Sequence, residues 1–184
     1  MHNGYRQCCF LGYGLFEQNQ NFFNGFRRFV DYLITNKKVG YFNFGSRSDF
    51  DDFAHRAVTI EQKRYPGIVR VAFPLNNELV CPVSMKNEML RAWNLYDERI
   101  VDIKDFDTIV SYNGNLPNGP TANRIRNHIM IDNSDIVVTC IGKLKAPDVE
   151  FVDGPRFQTK EDYEEAVFYA RSRGKIIIEY DGSY

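Results

Sequence analysis

Short apolar runs alternate along this chain with longer stretches whose apolar residues recur at helical spacing. Cys8-Cys9-Phe10-Leu11, stopped by Gly12-Tyr13-Gly14, predicts a buried first strand ending in a glycine-bearing loop. Phe22, Phe23, Phe26, Phe29, Val30, Leu33 and Ile34 form the stripe of a helix packed on a sheet, running from about Asn21 and closed by Asn36-Lys37-Lys38. Val39 to Phe44 predicts a second strand. Ser48 or Asp49 caps the next helix, whose Phe50, Phe53, Ala54, Ala57, Val58 and Ile60 face inward until Pro66-Gly67 ends it. Ile68 to Phe73 is a third strand, stopped by Pro74. Asn87 to Tyr96 reads as helical through Met89, Leu90, Trp93 and Leu95, and Trp93 as packing.

The second half repeats the alternation. Thr108 to Ser111 predicts a fourth strand, Thr121 opens a helix carrying Ile125, Ile129 and Met130, and Asp135 to Ile141 predicts a fifth strand. Thr159-Lys160-Glu161-Asp162 has the acidic first turn of a helix start, with Tyr163, Ala166, Val167, Tyr169 and Ala170 as its apolar face and Gly174 as its stop. Lys175 to Tyr180 is the final strand. Strands alternating with helices imply an α/β fold: a three-layer Rossmann-like sandwich with a mainly parallel sheet of five to six strands, the first central. With 184 residues, the expectation is one domain over 1–184.

Charge narrows the partners. Basic and acidic residues number 23 and 24, so no global field attracts a nucleic-acid backbone, and a nucleic-acid-binding role ranks last. Any anionic ligand must be held locally. Cys8, Cys9, Cys81 and Cys140 fit neither a disulfide framework nor a zinc knuckle, and His2, His55 and His128 are too scattered for a metal site; no metal and no cofactor is expected. No apolar run reaches the roughly 18 residues of a membrane span, and a cytoplasmic location is expected. The 15 Phe and 11 Tyr exceed what a core of this size requires. Packing accounts for most of them, and Phe22, Phe23, Tyr163 and Tyr169 are candidates for the interface of a homo-oligomer.

The densest functional signal is Tyr112 to Gly142, a strand end, polar loop, helix and strand. Asn123, Arg126 and Asn127 fall in the helix's first two turns, beside its free N–H groups, where anions bind. In a doubly wound sheet the loops after strands one, two, four and five converge outside the carboxyl ends. Gly12, Tyr13, Gly14, Gly45, Arg47, Ser48, Asn113, Asn123, Arg126, Asn127 and Gly142 can therefore face one cleft. Arg47 and Arg126 would grip phosphate, with backbone N–H groups near Gly12 to Gly14 and at Gly45; Asn113 and Asn127 would bond ribose hydroxyls, and Tyr13 would stack on a base. Bland readings stand beside these: Arg47 as a solvated cation, Ser48 as a helix cap, Arg126 in an ion pair with Asp49 or Asp132. Gly12-x-Gly14 lacks the third glycine of a dinucleotide fingerprint.

Three motifs carry a resemblance: C-C-F-x-G at Cys8 to Gly12, G-x-x-S-D-F-D at Gly45 to Asp51, and R-N-x-x-M-I-D-x-S-D at Arg126 to Asp135. In their order and spacing the chain resembles the SLOG superfamily, the Rossmann-like group that contains LOG phosphoribohydrolases and DprA-like proteins. The resemblance implies recognition of a nucleotide-derived signal, ADP-ribose-like or a cyclic nucleotide, by a sensor or by a phage-type sponge that sequesters immune signals. LOG enzymes carry P-G-G-x-G-T-x-x-E after the fifth strand, whereas this chain reads C-I-G-K-L-K-A-P-D and keeps Gly142 alone. That departure argues against phosphoribohydrolase activity. Lys143 and Lys145 stand where glycine amides would be, as replacement charge or as solvated side chains. The alternative function is a nucleotide N-glycosidic hydrolase, with Asp49, Glu161, Glu164 or Glu165 as its acid.

Overall fold

A computed structural model describes residues 4–14, 20–45, 48–75, 106–110, 121–142 and 158–182. The elements are β1 Arg6–Tyr13, α1 Gln20–Thr35, β2 Val39–Phe44, α2 Asp49–Gln62, β3 Val69–Ala72, β4 Thr108–Ile109, α3 Ala122–Asp132, β5 Ile136–Ile141, α4 Lys160–Ser172 and β6 Ile176–Glu179. The six strands form one sheet in the order β4-β3-β2-β1-β5-β6, and every pairing is parallel. β1 is interior, as expected, and the strand order reverses between β1 and β5. In open parallel sheets that reversal opens a crevice at the carboxyl ends.

Alternation along β1 divides the core. Cys8 and Phe10 point to the layer of α1 and α2, whereas Cys9 and Leu11 point to the layer of α3 and α4. On the first face, the Phe10 ring lies 5.3 to 6.1 Å from those of Phe26, Phe42, Phe44 and Phe50. Tyr180 closes this cluster against Phe26 at 4.8 Å. The aromatic surplus of the sequence is spent here. Phe23 and Tyr163 are buried, Phe22 packs on Phe53 and Tyr180, and Tyr169 stacks on His128. Of the four aromatics expected at a subunit interface, Phe23 and Tyr163 belong to the core, whereas Phe22 and Tyr169 are half-buried.

Local chemistry sets the element ends. Ser48 and Thr159 cap α2 and α4, their hydroxyls accepting from the amides of Asp51 and Asp162 at 3.1 Å each. Edge strand β4 is held to β3 by Arg70, which donates to Asp107 through Nε at 3.0 Å and Nη2 at 2.8 Å. Among the described residues no helix is long and apolar enough to cross a membrane, and no group of three or more His, Cys, Asp or Glu is placed to hold a metal. The expected helix at Asn87 to Tyr96 lies outside the described residues.

Candidate functional site

The carboxyl ends of the strands bring together most of the residues expected there. Gly12 and Tyr13 end β1 and Gly14 follows it; Gly45 follows β2 and Gly142 follows β5; Ser48 caps α2; Asn123, Arg126 and Asn127 sit in the first two turns of α3. Arg47 and Asn113 lie outside the described residues. Contacts link several of the others. A Cβ at Gly12 would run into the Phe50 side chain, and one at Gly45 would lie 2.5 Å from the Phe73 carbonyl and 3.1 Å from Arg126 Cδ. Gly45 also has φ +152°, a conformation L side chains rarely adopt. Only glycine lets α2 and the Arg126 side chain approach the strand ends this closely.

The Gly45 amide, expected to face a phosphate, and the amide of Gly142, expected in the cleft, are both used inside the chain. Gly45 N–H donates to the Asp51 carboxylate, at 3.0 Å to Oδ2, and Gly142 N–H donates to the Tyr13 carbonyl at 2.7 Å. Asp51 is buried, and a buried carboxylate must collect donors, so the G-x-x-S-D-F-D stretch closes on itself. Ser48 serves as the cap already described. Tyr13 is half-buried, its ring 6.5 Å from Tyr163.

α3 departs furthest from its apolar pattern. Ile125, expected inward, is exposed, and the buried face of the first two turns is Ala122, Asn123, Arg126 and Asn127, followed by Met130 and Ile131 over the core. Arg126 is wholly buried. Its Nε donates to Asn127 Oδ1 at 3.1 Å and its Nη2 to Asn123 Oδ1 at 3.2 Å. Asn127 Nδ2 donates to Gln158 Oε1, and Gln158 Nε2 to the Gly12 carbonyl, both at 2.8 Å. A line of hydrogen bonds thus crosses the crevice from α3 to β1. The proposed pairing of Arg126 with Asp132 is not formed: Asp132, on the exposed face of α3, takes Arg173 and the Tyr169 hydroxyl at 2.9 Å each. Nothing is described of the Asp49 side chain.

The N-terminus of α3 contrasts with those of α2 and α4. Thr121 holds the cap position but makes no side-chain cap hydrogen bond. Beside it, Asn123 Nδ2 is buried and has no hydrogen-bond partner among the described residues. Helix-end potential is positive here, and a buried guanidinium lies one turn on.

Of the acids considered for hydrolysis, Glu164 and Glu165 are engaged with partners on α3 and α4. Glu165 Oε1 lies 2.6 Å from His128 Nε2, and Glu164 pairs with Lys160 at 3.5 Å. Cys8, Cys9 and Cys140 are free and buried; burial pushes the thiols of Cys9 and Cys140 up to about 12, which makes them inert. Gln158 is the site residue that periodicity could not indicate, since it precedes the α4 cap in a stretch without pattern. No known protein-family model matches the chain, and no curated protein is detectably similar to it.

Proposed function

We propose that the protein binds a nucleotide-derived anion, ADP-ribose-like or a cyclic nucleotide, at the carboxyl ends of β1, β2 and β5, and acts in the cytoplasm as a sensor or a sequestering sponge. One observation carries the reading: the buried side-chain amide of Asn123, at the start of α3, has no hydrogen-bond partner among the described residues. A buried donor left bare costs about 1–3 kcal/mol, and a phosphate oxygen in that position would recover it while meeting the helix-end potential. The resemblance to SLOG proteins supports the nucleotide part of the ligand. Homo-oligomerisation belongs to the same proposal, tested by light scattering at micromolar concentration, with the half-exposed Phe22 and Tyr169 as its remaining aromatic candidates.

The test is a thermal-shift and calorimetric screen with ADP-ribose, its cyclic isomers, and cyclic di- and oligonucleotides. A binder at about 100 times its Kd stabilises by about 2.7 kcal/mol, a readily measured rise in Tm. Asn123→Leu is expected to remove the shift. Absence of binding by every probe overturns the proposal, and recovery of a cleaved probe, with turnover lost in Asp49→Asn, replaces it with the N-glycosidic hydrolase reading.

A further inference from the structure

The inference rests on that binding site and concerns what fixes its chemistry. Arginine has donors and no acceptor, so whatever hydrogen-bonds to Arg126 must offer it an oxygen. Asn127 and Asn123 do so at 3.1 and 3.2 Å, which turns the NH2 group of each amide away from the guanidinium. The other end of the line is fixed independently. The Gly12 carbonyl can only accept, so Gln158 presents its NH2 there and its Oε1 to Asn127, each at 2.8 Å. A donor-only group at one end and an acceptor-only group at the other demand the same orientation of every amide between them. The branch from Arg126 to Asn123 has no such closing group, and it ends in an NH2 that is buried, 3% exposed for the residue, and without a partner among the described residues.

We propose that Arg126 is a positioning residue that does not touch the ligand, and that by fixing the amide orientation it makes Asn123 the contact residue, whose NH2 receives a phosphate oxygen together with the first-turn amides of α3. This reverses the expectation that Arg126 itself grips the phosphate. A guanidinium with 0% exposure, already donating to two amides, is a fixed internal charge rather than an open clamp. The site is consequently selective for acceptors: a group that offers only donors meets NH2 and N–H groups and gains nothing.

The full chain, labelled with 15N, is titrated with inorganic phosphate and separately with ADP-ribose while the side-chain amide cross-peaks are followed. The Asn123 pair, identified by its loss in Asn123→Asp, is expected to shift and saturate with ADP-ribose, and with inorganic phosphate at higher concentration. Asn123→Asp keeps an oxygen for Arg126 and is expected to fold, yet to lose affinity by roughly tenfold or more, since it offers an acceptor where a donor is needed. Arg126→Lys, still a donor-only cation, retains binding, whereas Arg126→Gln, whose amide can present either end, loses it with the backbone spectrum intact. A merely structural Arg126 would make these two variants alike. An unmoved Asn123 pair during saturable binding, undiminished affinity in Asn123→Asp, or equal loss in folded Arg126→Lys and Arg126→Gln overturns the assignment while leaving the binding site standing. Should Arg126→Gln not fold, the Asn123 arms decide alone. If wild-type protein binds neither probe, the proposed function falls and this assignment with it.

Discussion

Gln158→Glu exchanges one NH2 for one oxygen at constant shape and therefore isolates the donor that faces the Gly12 carbonyl at 2.8 Å. Gln158 is buried, so an ionised carboxylate there loses its water and sets an oxygen against the Gly12 oxygen. Leaving that carbonyl bare costs about 1–3 kcal/mol, and burying the charge adds to it. The side chain escapes by keeping a proton, which restores a donor to Gly12. Its folded-state pKa is accordingly raised above the unfolded value of about 4.3, and each unit of that rise corresponds to about 1.4 kcal/mol. The sign follows: the variant has its full stability below about pH 4 and loses it progressively as pH rises through the raised folded pKa. Urea unfolding of variant and parent should differ by under about 1 kcal/mol near pH 4 and by roughly 2–4 kcal/mol near pH 8. Gln158→Leu, which strands both the Gly12 carbonyl and the Asn127 amide, should lose roughly 2–5 kcal/mol at either pH. A Gln158→Glu deficit that stays constant with pH, or is absent near pH 8, would refute the directed line of hydrogen bonds.

Gly12→Ala places a methyl group against Phe50 and 2.9 Å from Ser48 Oγ, and overpacking of this kind should lower stability by about 1–3 kcal/mol in urea unfolding. Hydrogen bonds from Arg70 hold the Asp107 carboxyl down at about 2; the stability that Asp107→Asn removes should be present at neutral pH and fade as pH falls from about 4 toward about 2, measured against the parent by chemical unfolding. Native protein exposed to iodoacetamide at about pH 8 should keep Cys8, Cys9 and Cys140 unmodified by mass spectrometry, because burial holds their thiols protonated, and should lose that protection in denaturant.

The layout of the sheet was legible because its strands are short β-rich runs bounded by Gly, Pro or Asn, and because the α1 and α2 stripes are almost wholly apolar. Boundaries moved by a few residues: β1 extends from Arg6 to Tyr13 around the Cys8 to Leu11 run, since ladder hydrogen bonds continue past the apolar residues. The rotation of α3 was not legible. Apolar periodicity puts Ile125 inward, yet a connected set of amides and a guanidinium can be buried when each finds partners, and Asn123, Arg126 and Asn127 take that face instead. The gathering of Gly12, Gly45, Gly142 and the start of α3 at the strand ends was visible as a convergence of loops. Which of its groups are already engaged was hidden, because the Gly45 amide meets Asp51 and the Gly12 carbonyl meets Gln158 only after the chain has folded.

The bond between Gly12 and Gln158 closes a span of 146 residues. Loop-closure entropy makes so distant a contact late to form, after the neighbouring strand pairs and helix layers have brought the two ends close. The amide line is then expected to form after the folding transition state. Substitutions along it should accordingly leave the refolding rate nearly unchanged and accelerate unfolding, so its residues govern how long each molecule survives rather than how quickly it is made.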